Sequence, residues 1–143
     1  MSTLTNLFAV VGISYAGVLS AMNPTHLTTE YRIDPEGIDE TAPRLSWQVE
    51  SDQRNRLQTA YQVLVADSEE ALAADQGTLW DSGKTASPAT LHIAYAGTPL
   101  KSRMQCWWKV RVWDNEDAPS SWSEVARFSM GLLGQDDWQA QWI

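Results

Sequence analysis

The chain of 143 residues has one cysteine, two histidines and no run of lysine or arginine. Each shortage excludes something. A lone Cys106 cannot form an internal disulfide, and its place among alternating apolar residues reads as a small buried hydrophobe rather than a reactive thiol. His26 and His92 have no companion at metal-ligand spacing, so no metal site is expected. The "DNED" turn at 114–117 could offer oxygens to calcium, but such sites take about six to eight ligands, and a solvated acidic turn is the simpler reading. Ten basic against 18 acidic residues leave a net charge of −8, and without a basic cluster nucleic acid is not an expected partner. No Ser/His/Asp constellation is recognisable, "DSGK" lacks phosphate-loop spacing, and no cofactor is implied.

Charge is also absent before Glu30. The apolar stretch "LFAVVGISYAGVLSAM" at 7–22 is shorter than the ~20 residues of a membrane span and has the length of a signal-peptide core. Against that, "MSTLTN" before it carries no Lys or Arg. Cleavage flanked by Val18 and Ser20, or by Leu19 and Ala21, would make the protein periplasmic or extracellular; a true start at Met22 would leave it cytoplasmic. On either reading residues 1–24 form a leader outside the fold, residues 25–133 a single domain, and residues 134–143 a linker into a further domain.

What the chain has in excess is tryptophan, eight in all, in an otherwise ordinary composition of 43% hydrophobic and 20% charged residues. Each ring can remove roughly 150–250 Å² from water. At ~25 cal/mol per Å² that gives an upper limit of about 4–6 kcal/mol per ring, so most should be buried. A chain of this size can bury a core without disulfide or metal support.

From Thr28 onward period-two alternation dominates. "TTEYRID" reads as a short strand, and "RLSWQVE" puts Leu45, Trp47 and Val49 on one face. "TAYQVLVAD" is apolar on both faces, which marks a central strand. "DSEEALAADQG" is the one helical stretch, with Asp67 as cap and Gly77 as stop. "TLWDSGK" and "TLHIAYAG" are short strands, "MQCWWKVRVWDNE" the longest, and "WSEVARFSMGLL" the last, with Ala126, Phe128 and Met130 inward. About seven short strands and one short helix predict an all-β antiparallel sandwich of immunoglobulin or fibronectin type III type.

In the longest strand Cys106, Trp108, Val110 and Val112 share a core face, with Trp108 expected to face Trp47 across the sandwich. Trp107, Lys109, Arg111 and Trp113 share the other. Three readings of this outer face compete: a cation–π ladder with Arg111 between Trp107, Trp113 or Trp122; an interdomain docking surface; and a carbohydrate platform on the same rings. The first two together are favoured. The candidate carbohydrate or interdomain surface is therefore Trp107, Arg111, Trp113 and Trp122.

The blocks "TEYRIDPEGIDETAPRLSWQVESDQRNRLQTAYQVLVADSEEAL", "LWDSGK", "YAGTPLKSRMQCWWKVRVWD", "SSWSE" and "FSMGLL", in this order, resemble the N-terminal domain of bacterial-type α-L-rhamnosidases. The resemblance runs from Thr28 to Ile143. It implies an immunoglobulin-like or fibronectin type III-like sandwich, followed in the family by further β-domains and an α/α barrel. The family hydrolyses terminal α-L-rhamnose with inversion, and its catalytic carboxylates lie far downstream. No position here corresponds to them, so no catalytic residue is assigned. The acids themselves fall mainly in turns, as Asp34, Glu36, Asp39, Glu40, Asp52, Asp114, Glu116 and Asp117, where solvation is expected. Adjacent Asp136 and Asp137 would point apart in a strand. The expected function is a non-catalytic module that positions downstream domains of the same enzyme, those domains being its partners. An apolar contact patch is expected near Trp138 and Trp142. The alternative is a carbohydrate-binding module for rhamnose-containing glycans.

Overall fold

The computed structural model describes residues 19–134, which form eight strands and one short helix. The strands are β1 (Met22–Thr29), β2 (Arg44–Ser51), β3 (Ala60–Ala66), β4 (Trp80–Asp81), β5 (Thr85–Ala86), β6 (Ile93–Ala94), β7 (Gln105–Trp113) and β8 (Ala126–Ser129). Helix α1 (Glu69–Ala73) lies between β3 and β4. One sheet has the order β1-β2-β6; the other runs β4-β3-β7-β8, with β5 also on β3, and every strand pair is antiparallel. This is the expected all-β sandwich. Among the described residues no helix is long and apolar enough to cross a membrane.

The first strand lies earlier than its residues suggested. It begins at Met22, whose side chain is buried in the core, so the sandwich starts before the expected boundary at residue 25. It ends at Thr29 because Glu30 and Tyr31 both adopt left-handed backbone, with φ of 49° and 69°. The expected strand through Asp34 is therefore a turn. The leader and linker assignments otherwise fall largely on residues 1–18 and 135–143, outside the described residues, as do Asp136, Asp137, Trp138 and Trp142.

β3 is central, as its two apolar faces require. It pairs with β7 over seven positions, from Ala60↔Trp113 to Ala66↔Trp107. Tyr61, Val63 and Val65 enter the main core with Cys106, Trp108, Val110 and Val112 of β7, while Leu64 and Ala66 pack outward against Leu72 of α1. Burial pushes the Cys106 thiol up to about 12, which keeps it protonated and unreactive at neutral pH.

The two central indoles are buried and hydrogen-bonded. Trp47 Nε1 donates to Gln58 Oε1 at 3.1 Å, and the Gln58 amide donates in turn to the carbonyls of Ser87 and Ala89. Trp108 Nε1 donates to Thr29 Oγ1 at 3.2 Å, which ties β7 of one sheet to β1 of the other. The ring found edge-on to Trp47 is Tyr61, at 5.4 Å between centroids. The partner expected there was Trp108. Each buried polar tip thus has the partner that burial demands.

Local chemistry departs from expectation in two places. The helix cap is Ser68, whose hydroxyl accepts from the Ala71 N–H at 3.2 Å, while Asp67 accepts from the Thr78 hydroxyl. The left-handed residue after the helix is Asp75, not Gly77. Asp114, read as a solvated turn acid, is 2% exposed. Its Oδ1 accepts from the backbone N–H groups of Glu116 and Ala118, and its Oδ2 accepts from the Ser20 hydroxyl. The carboxylate therefore acts as the template of the β7–β8 turn. Burial pushes its pKa up, but these hydrogen bonds and Arg56 outweigh burial and hold it below the ordinary range.

The turn between β1 and β2 crosses to the other sheet and covers the edge of β8. Ile38 forms a parallel bridge with Met130. Ser129 N–H donates to Pro35 O, Ile38 N–H to Ser129 O, and Gly131 N–H to Ile38 O. Asp34 adds a cap on the Arg127 N–H at 2.9 Å. Gly37 supplies the left-handed turn (φ 70°), and a side chain on Gly131 would place its Cβ 2.9 Å from Gly37 O. The "PEGID" block is thus an edge cover, which removes a site for unwanted strand pairing.

Trp47→Ala and Trp108→Ala should each destabilise the fold by about 3–5 kcal/mol in chemical denaturation. Unchanged midpoints would contradict the assignment of both rings to the core. Asp114→Ala should cost about 2–3 kcal/mol at pH 7, since three donors lose a charged acceptor. Because the folded pKa is the lower one, that contribution is complete above about pH 4 and disappears as pH falls through the folded value. Denaturation of both proteins across acid pH should show the gap between them shrinking below about pH 4.

Candidate functional site

The outer face of the larger sheet carries Gln62 and Leu64 from β3 beside Trp107, Lys109, Arg111 and Trp113 from β7. A segment outside the regular strands completes it. Ser120 and Ser123 each bond twice to β7: their N–H groups donate to Val112 O and Val110 O, and their hydroxyls accept from the Val112 and Val110 N–H groups. Hydroxyls here take over part of a strand ladder. The result holds Trp122 above the sheet face, which gives "SSWS" its physical meaning.

The rings and cations then alternate. Lys84 Nζ lies 5.1 Å from the Trp113 ring centre, and Arg111 Cζ lies 5.0 Å from Trp113 and 4.6 Å from Trp122. Lys109 Nζ lies 4.9 Å from Trp122. The order is Lys84, Trp113, Arg111, Trp122, Lys109. Both ends are closed by carboxylates: Lys84 pairs with Asp117, and Lys109 with Asp75. In the middle, Arg111 Nε donates to Gln62 Oε1 at 3.0 Å, and Gln62 Nε2 donates to Asp81 Oδ1 at 2.9 Å. Lys109 is only 6% exposed, so its charge depends on Asp75 and the Trp122 face for compensation.

Of the four residues singled out from the sequence, the structure brings Arg111, Trp113 and Trp122 into one stack. Trp107 lies outside that stack, although it packs, like Trp122, against the cluster of Leu64, Ala66 and Leu72 beside α1. Sequence reasoning missed Lys84, because alternation along β7 says nothing of a turn residue beyond β4. Its placement depends on Gly83, which reverses the chain with φ 63°. A second cluster was also missed. Glu30 receives Arg44 through two guanidinium nitrogens, at 3.1 and 2.7 Å, and that bond holds its carboxyl below the usual range. Arg44 in turn lies 5.1 Å from the Tyr31 ring centre, and His92 meets the same ring at its edge. Here the signal was backbone strain at Glu30 and Tyr31, which the residue pattern does not carry.

Three further acids hold structure in the same way. Asp34 caps Arg127, Glu36 pairs with its guanidinium, and Asp81 accepts from the Gly83 N–H. Among the described residues, no group of three or more His, Cys, Asp or Glu side chains converges on a metal-sized site.

The family described as "Rha78A-like, N-terminal immunoglobulin domain" matches residues 24–134. An α-L-rhamnosidase of Streptomyces avermitilis is 42% identical over 125 residues, which is 87% of this chain and 12% of that enzyme. One from Formosa agariphila is 37% identical and one from an Alteromonas species 38%, across 95% and 99% of this chain but 14% and 15% of theirs. The chain thus spans about one seventh or less of the curated relatives it matches. The crystal structure of the Streptomyces avermitilis α-L-rhamnosidase complexed with L-rhamnose superposes with a TM-score of 0.80, covering 84% of this chain and 12% of that one. The α-L-rhamnosidase from Dictyoglumus thermophilum gives 0.80 at 37% identity, covering 82% and 13%. With a matched sandwich over most of its length, this chain belongs to the family of Rha78A-like N-terminal immunoglobulin domains.

Proposed function

We propose that the domain is the non-catalytic N-terminal module of an α-L-rhamnosidase, an enzyme that removes terminal α-L-rhamnose, and that it packs against and positions the domains that follow. The observation that carries this reading is the match itself: in the rhamnosidases it resembles, this sandwich is 12–15% of the chain. The use of the acids supports it. Inverting hydrolysis works through two carboxyl groups about 6.5–9.5 Å apart across a sugar-sized cleft. Here Asp114, Asp34, Asp75, Asp81, Glu30 and Glu36 are each engaged in a turn, a cap or an ion pair. The ladder suits a bearing surface, since it locks long cationic side chains and flat rings into one arrangement before any partner arrives. The sugar-binding alternative rests on Trp107, because Trp113 and Trp122 already have cations against their rings.

The purified chain should not hydrolyse an aryl α-L-rhamnoside above background; turnover would overturn the non-catalytic assignment. The positioning role is tested in the Streptomyces avermitilis enzyme, by deleting its matching domain or replacing it with residues 24–134 of this chain. Deletion should lower the thermal midpoint of the remainder, and replacement should restore it. A deletion that leaves both midpoint and activity unchanged counts against positioning. Within the isolated domain, Arg111→Ala should cost about 1–2 kcal/mol through its two ring contacts. A double-mutant cycle with Trp122→Leu should show a coupling of at least about 0.5 kcal/mol by denaturation.

A further inference from the structure

Ser20 lies two residues before β1, yet it bonds to the turn that follows β7 in the other sheet. Its N–H donates to Pro119 O at 2.8 Å, and its hydroxyl donates to Asp114 Oδ2 at 2.7 Å. The same hydroxyl accepts from the Met22 N–H at 3.1 Å. One small side chain therefore joins the start of β1, whose Met22 is buried in the core, to a buried carboxylate 94 residues away.

The segment that Ser20 grips carries part of the outer face. Asp114 Oδ1 is already taken up by the N–H groups of Glu116 and Ala118. Arg56 Nη1 stands 3.8 Å from Oδ2, beyond hydrogen-bonding distance, so among the described residues Ser20 is the close donor to that oxygen. Pro119 forms an antiparallel bridge with Trp113, and Ser120 and Ser123 continue the pairing to Val112 and Val110. Trp113 and Trp122, the two rings against Arg111, therefore border or belong to the fastened segment. From Asp114 to Ser123 no residue belongs to a regular strand. A connection of this kind opens more easily than a full ladder, so one added anchor shifts how often it is closed.

We infer that Ser20 is a latch: through Asp114 and Pro119 it keeps the 114–123 segment closed on β7, and so couples the N-terminal end of the sandwich to the ring stack around Arg111. The hydroxyl is what the position needs. Alanine would keep the backbone bond to Pro119 but leave Asp114 Oδ2 without its donor, and a buried carboxylate one bond short is costly. A chain that began at Met22, or was cleaved after Ser20, would lose both bonds. Ser20 thus marks where the folded module begins, two positions ahead of β1. The latch does not depend on the positioning role; a domain that positions nothing would keep it.

The test is amide hydrogen exchange of the ¹⁵N-labelled 143-residue chain, followed by NMR, with Ser20→Ala and Ser20→Thr as variants. Ser20→Ala should speed exchange about fivefold or more at Glu116, Ala118 and Ser120, whose N–H groups are bonded within the latched segment. Leu79 and Ser82, whose N–H groups bond to β3 on the side away from β7, should stay within about twofold. The Arg111 Nε–H resonance should move toward its unstructured position, as the ring-current shift from Trp122 weakens. Ser20→Thr keeps the hydroxyl and should leave all these amides within about twofold of the parent chain. Unchanged exchange in the 114–123 segment overturns the latch. So does equal acceleration at Leu79 and Ser82, which is a loss of global stability. An unmoved Arg111 resonance overturns the coupling to the stack, and a threonine variant that exchanges like alanine overturns the role of the hydroxyl.

Discussion

The register between β3 and β7 is the constraint on which everything else depends. Side chains in a strand alternate with period two, so a slip of one residue would exchange the two faces of β7. Trp108 would then leave the core and Arg111 would enter it. The seven matched pairs prevent this, and both faces enforce the register. Inward, Val63, Val65, Trp108 and Val110 need a dry interior. Outward, Leu64 and Ala66 need the cover of α1, while Arg111 needs the Gln62 carbonyl that faces it across the pair.

The ladder and the packing of Trp107 are products of that same register. Alternation puts Trp107, Lys109, Arg111 and Trp113 in one row, but the neighbours decide what each ring does. Arg111 falls between two rings because Ser120 and Ser123 fasten Trp122 to the edge of β7. Trp107, two positions before Lys109, meets α1 on one side and β8 on the other. The same residue type in the same strand therefore serves as core (Trp108), as part of a charge-bearing stack (Trp113) and as packing beside α1 (Trp107).

Much of the fold was legible because it rests on local periodicity. The faces of β2, β3 and β7 and the inward set Ala126, Phe128 and Met130 all follow from alternation. What was not legible depends on long-range partners or on backbone shape. The first strand was placed late because "TTEYRID" alternates like a strand, whereas left-handed Glu30 and Tyr31 turn the chain. Asp114 looked like any acid in a polar turn; nothing near it in sequence announces Ser20, 94 residues away, as a donor. Of the candidate surface, the stacking of Arg111 with Trp113 and Trp122 was readable in outline. The part played by Lys84 was not, since it comes from a turn between two-residue strands.

The acidic excess of the chain also finds an explanation in this architecture. Many of its carboxylates terminate something: a turn, a strand edge, or one end of the ring stack. A sandwich built from short strands has many ends, and an anion is the natural acceptor wherever backbone N–H groups are left over.

The cover that "PEGID" lays along β8 has a mechanical consequence. It belongs to the connection between β1 and β2, yet it bonds to the last strand of the opposite sheet, in parallel, at Ile38 and Met130. Tension applied to the backbone past Gly131 would load those bonds along the strand axis, together in shear, and pass through the loop into the other layer. The two halves of the sandwich would then resist traction as one body, instead of letting the final strand unzip.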